Sequence, residues 1–397
     1  MQHMNKQLNI GLFGLGVVGS GLWDILQEQA HQPFSIRKIG VQNPEKQRTP
    51  PAHFLTLQPE SILEDPGIDV IVEAITHPEE ALALVTQALR NGKDVITANK
   101  KMLARYLPQL LKIAAENERT LLYESAACGG IPVVRTLDEY FSAEPLDKLY
   151  GIFNGTSNYL LTQMFRYQLP FAEALKQAQE KGFAEADPSD DVDGADAKHK
   201  LILLSAHGQG LWVHPDEVLH LGIRHIQPED IAWAQQQGAT IKLVPTGKRL
   251  PDNRVALYVI PHLVQRDNPL FHIHDEFNSV HIEGQYSGRH VLTGRGAGSK
   301  PTASAIIADL QGLQRRQQYR YSKKRLLSRP ALDESLEIPV YIRLPKSAET
   351  SVNLESIKVD SVEIDGQNIR LEGHVRLSDL KSLRGALHAA GAFVMQR

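Results

Sequence analysis

The chain has 397 residues, of which 42% are hydrophobic and 22% charged, with a formal net charge of -3. That length accommodates two or three domains with buried cores, and so even a charge balance sets up no broad field for nucleic acid or an anionic membrane; small, individually recognised ligands are the expected partners. A single cysteine, Cys128, rules out an intramolecular disulfide, no stretch approaches the ~20 apolar residues of a membrane span, and the start lacks the charged flank and apolar run of a signal peptide, so a reducing, cytoplasmic location is expected.

In chain order, "LNIGLFG" (Leu8 to Gly14) reads as a short buried strand, followed by a helical stretch from about Val17 to Ala30. "FSIRKIGV" and "DVIVEAI" are further strand candidates, "PEEALALVTQALRNGK" has apolar residues at helical spacing and a glycine stop, and "DVITAN" and "TLLYES" are strands again. Strands alternating with helices imply an α/β fold with a Rossmann-type, doubly wound parallel sheet. From about Ile131 the pattern mixes helical stretches ("EALKQAQEKG", "DAKHKLILLSAHGQG") with strand-like runs such as "RVALYVIPHLV", which suggests an α+β catalytic or dimerisation domain. After a linker near "SRPALDESLEIP", "IPVYIRL", "SIKVDSVEI" and "NIRLEGHV" read as strands, with a hairpin signal at Asp365-Gly366, then a helix and a closing strand. The expected domains are therefore 1–132 with about 296–325 returning to it, 133–295, and a small α+β unit at 333–397.

"GLGVVG" places Gly14, Gly16 and Gly19 after a strand and before a helix, with Val17 and Val18 opening that helix. Such glycines allow a tight turn, close backbone approach to a pyrophosphate and close helix packing, while the helix N-terminus favours an anion. The motif alone is also compatible with a plain glycine turn. At the end of the second strand, "GVQNPEKQR" offers Gln42 and Asn43 in place of an acid, with Lys46 and Arg48 beyond. A missing acid with nearby bases favours NADP over NAD, and ordinary surface cations are the alternative.

"GFAEADPSDDVDGADAKHK" (Gly182 to Lys200) is rich in aspartate. An EF-hand reading fails, because with Gly194 at position 6 the bidentate glutamate of position 12 is replaced by Lys200. A solvated acidic turn and a catalytic segment stay open on these residues alone. Asp196 and Lys200 stand four apart on one helix face, a spacing that most often gives a solvated salt bridge.

Together with "ITANKKM", "YESAACGGIP", "GIFNGTSNYLL" and "GAGSKPTASAIIADL", in that order, the chain from residue 8 to about 315 resembles the homoserine dehydrogenases. The resemblance implies an NAD- or NADP-dependent interconversion of L-homoserine and L-aspartate 4-semialdehyde in threonine and methionine biosynthesis, in a homodimer, with no aspartate kinase domain fused ahead of it. It assigns proton transfer to Lys200, assisted by Asp196, with Lys100 as a second active-site lysine. Glu185, Asp191, Asp196, Gly155 and Thr156 become substrate contacts. Gly182, Gly298, Thr302, Thr76, Asn99 and Lys100 join Gly14, Gly16, Val17, Val18 and Gly19 as cofactor contacts. Glu124 and the carbonyls of Ala127, Gly129 and Ile131 match a sodium or potassium loop. Some members carry tyrosine where this chain has Phe183. Solvation, helix-start charge and hinge roles are the plain alternatives for these positions. A dehydrogenase of another small amino or hydroxy acid, or a non-catalytic cofactor-binding sensor, would also keep the glycines; the sensor would have no reason to keep Lys100, Glu185, Asp196 and Lys200 together. The last segment resembles an ACT-type regulatory domain lacking its first helix, with "PKSAETSVN" at the ligand turn. A structural or dimer-packing role stands beside a regulatory one.

Overall fold

Apolar β-branched and leucine-rich segments in the first third form strands buried on both faces, as a parallel sheet covered by helices requires. The computed structural model describes residues 7–29, 31–43, 46–326 and 330–397. It divides into two compact units, the first formed by 1–142 with 295–321 and the second by 143–294 with 322–397.

In the first unit β1 (Leu8–Phe13), β2 (Phe34–Gly40), β3 (Leu55–Thr56), β4 (Val70–Glu73), β5 (Asp94–Thr97) and β6 (Leu121–Leu122) lie in the order β3-β2-β1-β4-β5-β6. Every pairing among them is parallel. This is the strand order of a dinucleotide-binding sheet, with the order reversing at β1 and β4. Ile10, Leu12, Val70, Val72 and Ile96 pack with Leu22 and Leu26 of the helix Val17–Glu28 and with Ile306 and Leu310 of the helix Ser299–Gln314. The first helix ends at Glu28, and Ala30, to which the sequence pattern extends it, lies outside the described residues. "TLLYES" is a strand only at Leu121–Leu122, because Glu124–Ala126 turn into a 3-10 helix.

The second unit is built on β7 (Leu146–Ile152), β8 (Leu219–His220), β9 (Ala239–Leu250), β10 (Arg254–Gln265), β11 (Phe277–Gly284) and β12 (Gly288–Arg295), followed by β13 (Ala331–Leu332), β14 (Glu337–Pro345), β15 (Lys358–Asp365), β16 (Asn368–Arg376) and β17 (Phe393–Gln396). They share one mixed sheet in the order β12-β11-β7-β9-β10-β17-β14-β16-β15, with β8 and β13 pairing β10. β9 and β10 pair antiparallel along their full length. The C-terminal strands continue this sheet, since β17 lies between β10 and β14. The hairpin joining β15 to β16 turns at Gly366-Gln367, one residue later than the Asp365-Gly366 signal, with Gly366 at φ +55. Residues 327–329 of the expected linker lie outside the described residues.

Candidate active site

The glycine-rich turn in the first unit is shaped by what a side chain would strike. Gly14 has φ +93, and a Cβ there would stand 2.6 Å from the Ala74 carbonyl oxygen; a Cβ at Gly19 would stand 2.0 Å from the Gly14 carbonyl oxygen. Gly16 caps the helix Val17–Glu28 with no side-chain hydrogen bond and no acidic residue in the first turn, and a Cβ on it would meet nothing within 4 Å. An uncapped helix N-terminus beside open space fits the pyrophosphate of a dinucleotide. At the end of β2 the Gln42 amide nitrogen lies 3.0 Å from both carboxylate oxygens of Glu80, so a carboxylate reaches this position from the helix Pro78–Arg90, a partner the local sequence did not disclose.

Beyond β4 and β5, Thr76 is exposed, while Asn99 is buried and caps the helix Lys100–Glu116 by accepting from the Met102 amide at 2.9 Å. Lys100 opens that helix. Gly298, at φ +118, is the N-cap of Ser299–Gln314, and its carbonyl accepts from the Thr302 amide.

Glu124 is buried, and its carboxylate accepts from the amides of Val134 (2.9 Å) and Arg135 (2.8 Å). Burial pushes this carboxyl up to about 7 despite those hydrogen bonds. Ala127, Gly129 and Ile131 follow in the same buried loop, with Gly129 at φ +52 and the Ile131 carbonyl accepting from Val133. Among the described residues no group of three or more His, Cys, Asp or Glu side chains could hold a metal ion. A cation in this loop therefore depends on Glu124 and main-chain carbonyls, a hard-oxygen set that suits a monovalent ion in kind, and its charge would offset the cost of burying Glu124 ionised.

In the second unit the acidic segment is a folded site. Gly194, at φ +84, starts the helix Ala195–Gly208, which carries Asp196 and Lys200 one turn apart. The Lys200 Nζ lies 2.7 Å from Asp196 Oδ2, with only 8% and 7% of the two side chains exposed, so this is a buried pair and not the solvated one its spacing most often gives. Nζ also donates to the Phe153 carbonyl at 2.7 Å. Phe153 follows β7, and the next residue, Asn154, caps the helix Gly155–Tyr167 by accepting from the Ser157 amide at 2.7 Å. Its Nδ2 donates to Asp191 Oδ1 at 2.6 Å and to Asp196 Oδ2 at 2.9 Å. One asparagine thus joins two carboxylates that sequence alone left side by side.

The remaining acids divide by partner. Arg224 grips Asp193 with Nε and Nη2, both at 2.8 Å, and donates to the Ser189 hydroxyl, which fixes the short helix Ser189–Val192 that carries Asp191. Asp187 accepts from the amide and hydroxyl of Ser189. Glu185 is exposed, and so is Gly182, at φ +75. Thr156 donates to the Phe183 carbonyl at 2.7 Å, and Phe183 packs on Tyr159 with ring centroids 4.9 Å apart. A Cβ at Gly155 would stand 2.7 Å from the Glu276 carbonyl oxygen, so packing alone demands glycine there. The structure therefore joins Asp191, Asp196 and Lys200 by hydrogen bonds, sets Gly155 and Thr156 on the adjoining helix start, and leaves Glu185 outside this buried network. Asn154 and Arg224 were missed. Asn154 carried a readable signal, an asparagine immediately before a helix pattern.

A family profile for homoserine dehydrogenase matches residues 132–311, and one for the homoserine dehydrogenase NAD binding domain matches residues 14–124. The homoserine dehydrogenase of Bacillus subtilis is 39% identical over 314 residues, covering 77% of this chain and 72% of the relative. That of Helicobacter pylori is 38% identical over 314 residues, covering 77% and 74%. Among solved structures, a homoserine dehydrogenase from Thiobacillus denitrificans superposes with a TM-score of 0.84 at 31% identity, covering 98% of this chain and 97% of that one. The S. aureus enzyme at pH 6.5 gives 0.74 at 30% identity, covering 98% of each.

Proposed function

The chain belongs to the homoserine dehydrogenase family and is an NAD(P)-dependent oxidoreductase; from that premise we propose how its own residues divide the work of interconverting L-homoserine and L-aspartate 4-semialdehyde. The buried Lys200–Asp196 pair carries the proposal. A nicotinamide, when bound, gives or takes the hydride at the reacting carbon. As negative charge develops on the aldehyde oxygen, the Lys200 ammonium stabilises it and delivers the proton; in the reverse direction the amine takes it back. Two of its three N–H donors are directed at Asp196 and Phe153, and the third is the one assigned to the substrate oxygen. Asp196 and the Phe153 carbonyl aim the ammonium, and Asn154 holds Asp196 and Asp191 in register.

Asp191, Asp196 and Glu185 are assigned to the amino and hydroxyl ends of the substrate, and the loop at Gly155 and Thr156 to its carboxylate. Lys100 is assigned to binding or polarising substrate. Gly14, Gly16, Val17, Val18, Gly19, Thr76, Asn99, Lys100, Gly182, Gly298 and Thr302 are assigned to the cofactor, so that 1–132 with about 296–325 binds nucleotide, 133–295 binds substrate, and 333–397 forms an adjunct. Glu124 with the carbonyls of Ala127, Gly129 and Ile131 would hold a sodium or potassium ion and so stabilise the loop. Among the described residues no helix is long and apolar enough to cross a membrane, and a cytoplasmic homodimer acting in threonine and methionine synthesis is the reading we favour.

Initial rates with homoserine and each of NAD and NADP, with and without sodium or potassium, test the assignment. Turnover is expected with at least one nucleotide. Inactivity with both, while related aldehydes or hydroxy acids react, would move the chain to another substrate.

A further inference from the structure

Glu73 is the last residue of β4 and is fully buried, on the strand next to the Thr97 that ends β5; the two are register partners. Its carboxylate reaches in two directions. Oε1 accepts from the Ile75 amide at 2.7 Å, which fixes the loop leaving β4, and Oε2 accepts from the Thr97 hydroxyl. The Thr97 oxygen in turn accepts from the Asn99 amide at 3.0 Å, which fixes the loop leaving β5. The Asn99 side chain then closes a ring, donating to the Ile75 carbonyl at 3.2 Å while accepting from Met102 at 2.9 Å. Two loops at the carboxyl ends of adjacent parallel strands are thus cross-braced through one carboxylate, at the end of the sheet where such folds take their ligands.

We infer that Glu73 is a positioning residue for the nucleotide: through Ile75, Thr97 and Asn99 it sets the backbone of the 74–77 and 97–100 loops at the spacing the bound cofactor requires. The inference rests on the assignment of Thr76, Asn99 and Lys100 to the cofactor site. A buried carboxylate is a costly way to hold a sheet together. Burial pushes the carboxyl up to about 7, outweighing the Thr97 hydroxyl, the Ile75 amide and the Asn99 side chain, which favour the ionised form, while the Glu80 carboxylate adds to the rise. An apolar residue at this strand position would fill space at lower cost and would accept from neither Ile75 nor Thr97.

The test uses the full-length protein and two independent alterations of the brace. Measured at pH 8, where Glu73 is ionised and accepts at both oxygens, Glu73→Gln keeps the shape and an acceptor oxygen but turns an NH2 toward one of the two donors. Thr97→Val removes the hydroxyl, and Thr97→Ser restores it. For each purified variant, NADPH and NADH dissociation constants are read from nucleotide fluorescence, the KM values for nucleotide and homoserine from initial rates, and folding from thermal melts. Glu73→Gln and Thr97→Val should each weaken nucleotide binding about tenfold, with the homoserine KM at saturating nucleotide little changed, and Thr97→Ser should bind as wild type does. The double variant should be no weaker than the poorer single one, since both break the same chain of bonds. Variants that melt lower yet bind nucleotide with wild-type affinity would reduce Glu73 to a stabilising residue and overturn the inference while leaving the cofactor assignment standing. Failure of the wild-type protein to bind either nucleotide would overturn both. If Glu73→Gln does not fold, the Thr97 pair decides.

Discussion

Lys200 and Asp196 sit one helical turn apart with Nζ and Oδ2 at 2.7 Å, both withdrawn from solvent, and the same Oδ2 accepts from Asn154. In water such a pair contributes little, but out of water each charge depends on its partner and on every further hydrogen bond. Lys200→Ala is expected to lower kcat by about 10³-fold or more with nucleotide affinity near normal, and to lower the melting temperature because Asp196 loses its cation. Turnover close to wild type would remove Lys200 from proton transfer.

Asn154 offers a sharper test, since it touches both carboxylates and caps the helix Gly155–Tyr167. Asn154→Asp preserves the cap but sets a third carboxylate beside Asp191 and Asp196 and removes the two donated hydrogen bonds. Asn154→Ser keeps a cap without adding charge. The aspartate variant should lose about 10²-fold in kcat/KM for homoserine, and the serine variant less, with similar thermal melts. Equal losses in the two would mean that the hydrogen bonds donated to Asp191 and Asp196, and not the added charge, are what matters.

Much of this was legible in the sequence because the deciding features are local. The alternation of strands and helices, Gly14, Gly16 and Gly19, and the i,i+4 spacing of Asp196 and Lys200 are all short-range patterns. What stayed hidden depends on chain return. Burial of the Lys200–Asp196 pair is set by the Phe153–Asn154 corner, more than forty positions away in sequence. The separation of Asp193 from Asp191 depends on Arg224, and the carboxylate beside Gln42 comes from Glu80. A strand pattern likewise fails to foretell that Tyr123 to Ala126 leave the sheet, because the reason is Glu124 turning inward to the amides of Val134 and Arg135.

Gly19→Ala probes the glycine turn. Its added Cβ would overlap the Gly14 carbonyl oxygen, 2.0 Å away and backbone on both sides, so the helix Val17–Glu28 must move away from the turn. Nucleotide affinity is expected to fall by more than about tenfold, accompanied by a lower melting temperature. Gly16→Ala has open space for its Cβ and should melt like wild type, so any affinity lost there reports ligand approach alone. Unimpaired nucleotide binding in both variants would argue against a pyrophosphate at this turn.

Arg343 and Asp230 form a second buried ion pair, far in sequence from the acidic segment, with both side chains fully buried and Nε 3.0 Å from each carboxylate oxygen. Asp230 also accepts from Tyr341 and from the Gln227 amide, and Arg343 donates to the His225 carbonyl. Arg343→Ala strands a carboxylate among these donors and should destabilise the fold by about 3–5 kcal/mol, read from urea unfolding. Replacing both residues together, as in Arg343→Met with Asp230→Asn, should cost less than Arg343→Ala. A larger loss in the double variant would show that the Asp230 carboxylate, through Tyr341 and the Gln227 amide, stabilises the fold even without its cation.

Glu73 predicts a pH dependence whose sign is unambiguous. Its carboxyl titrates near 4.5 in an unfolded chain, and burial moves it to about 7 in the folded one. Between those values the folded protein holds a proton that the unfolded protein has released, so stability falls as pH rises through this window. The contribution is complete below about pH 4.5, is lost as pH passes 7, and is on the order of 3 kcal/mol for a shift of that size. Glu124 is shifted in the same direction and to about the same value, so removing one carboxyl should flatten the slope without abolishing it. Melting temperatures at half-unit intervals from pH 5 to 8 should decline less steeply in Glu73→Gln than in wild type, and the two curves should separate most between pH 5 and 7. Parallel curves would mean that Glu73 ionises in the folded protein as it does in water, and that its hydrogen bonds to Ile75 and Thr97 fully offset its burial.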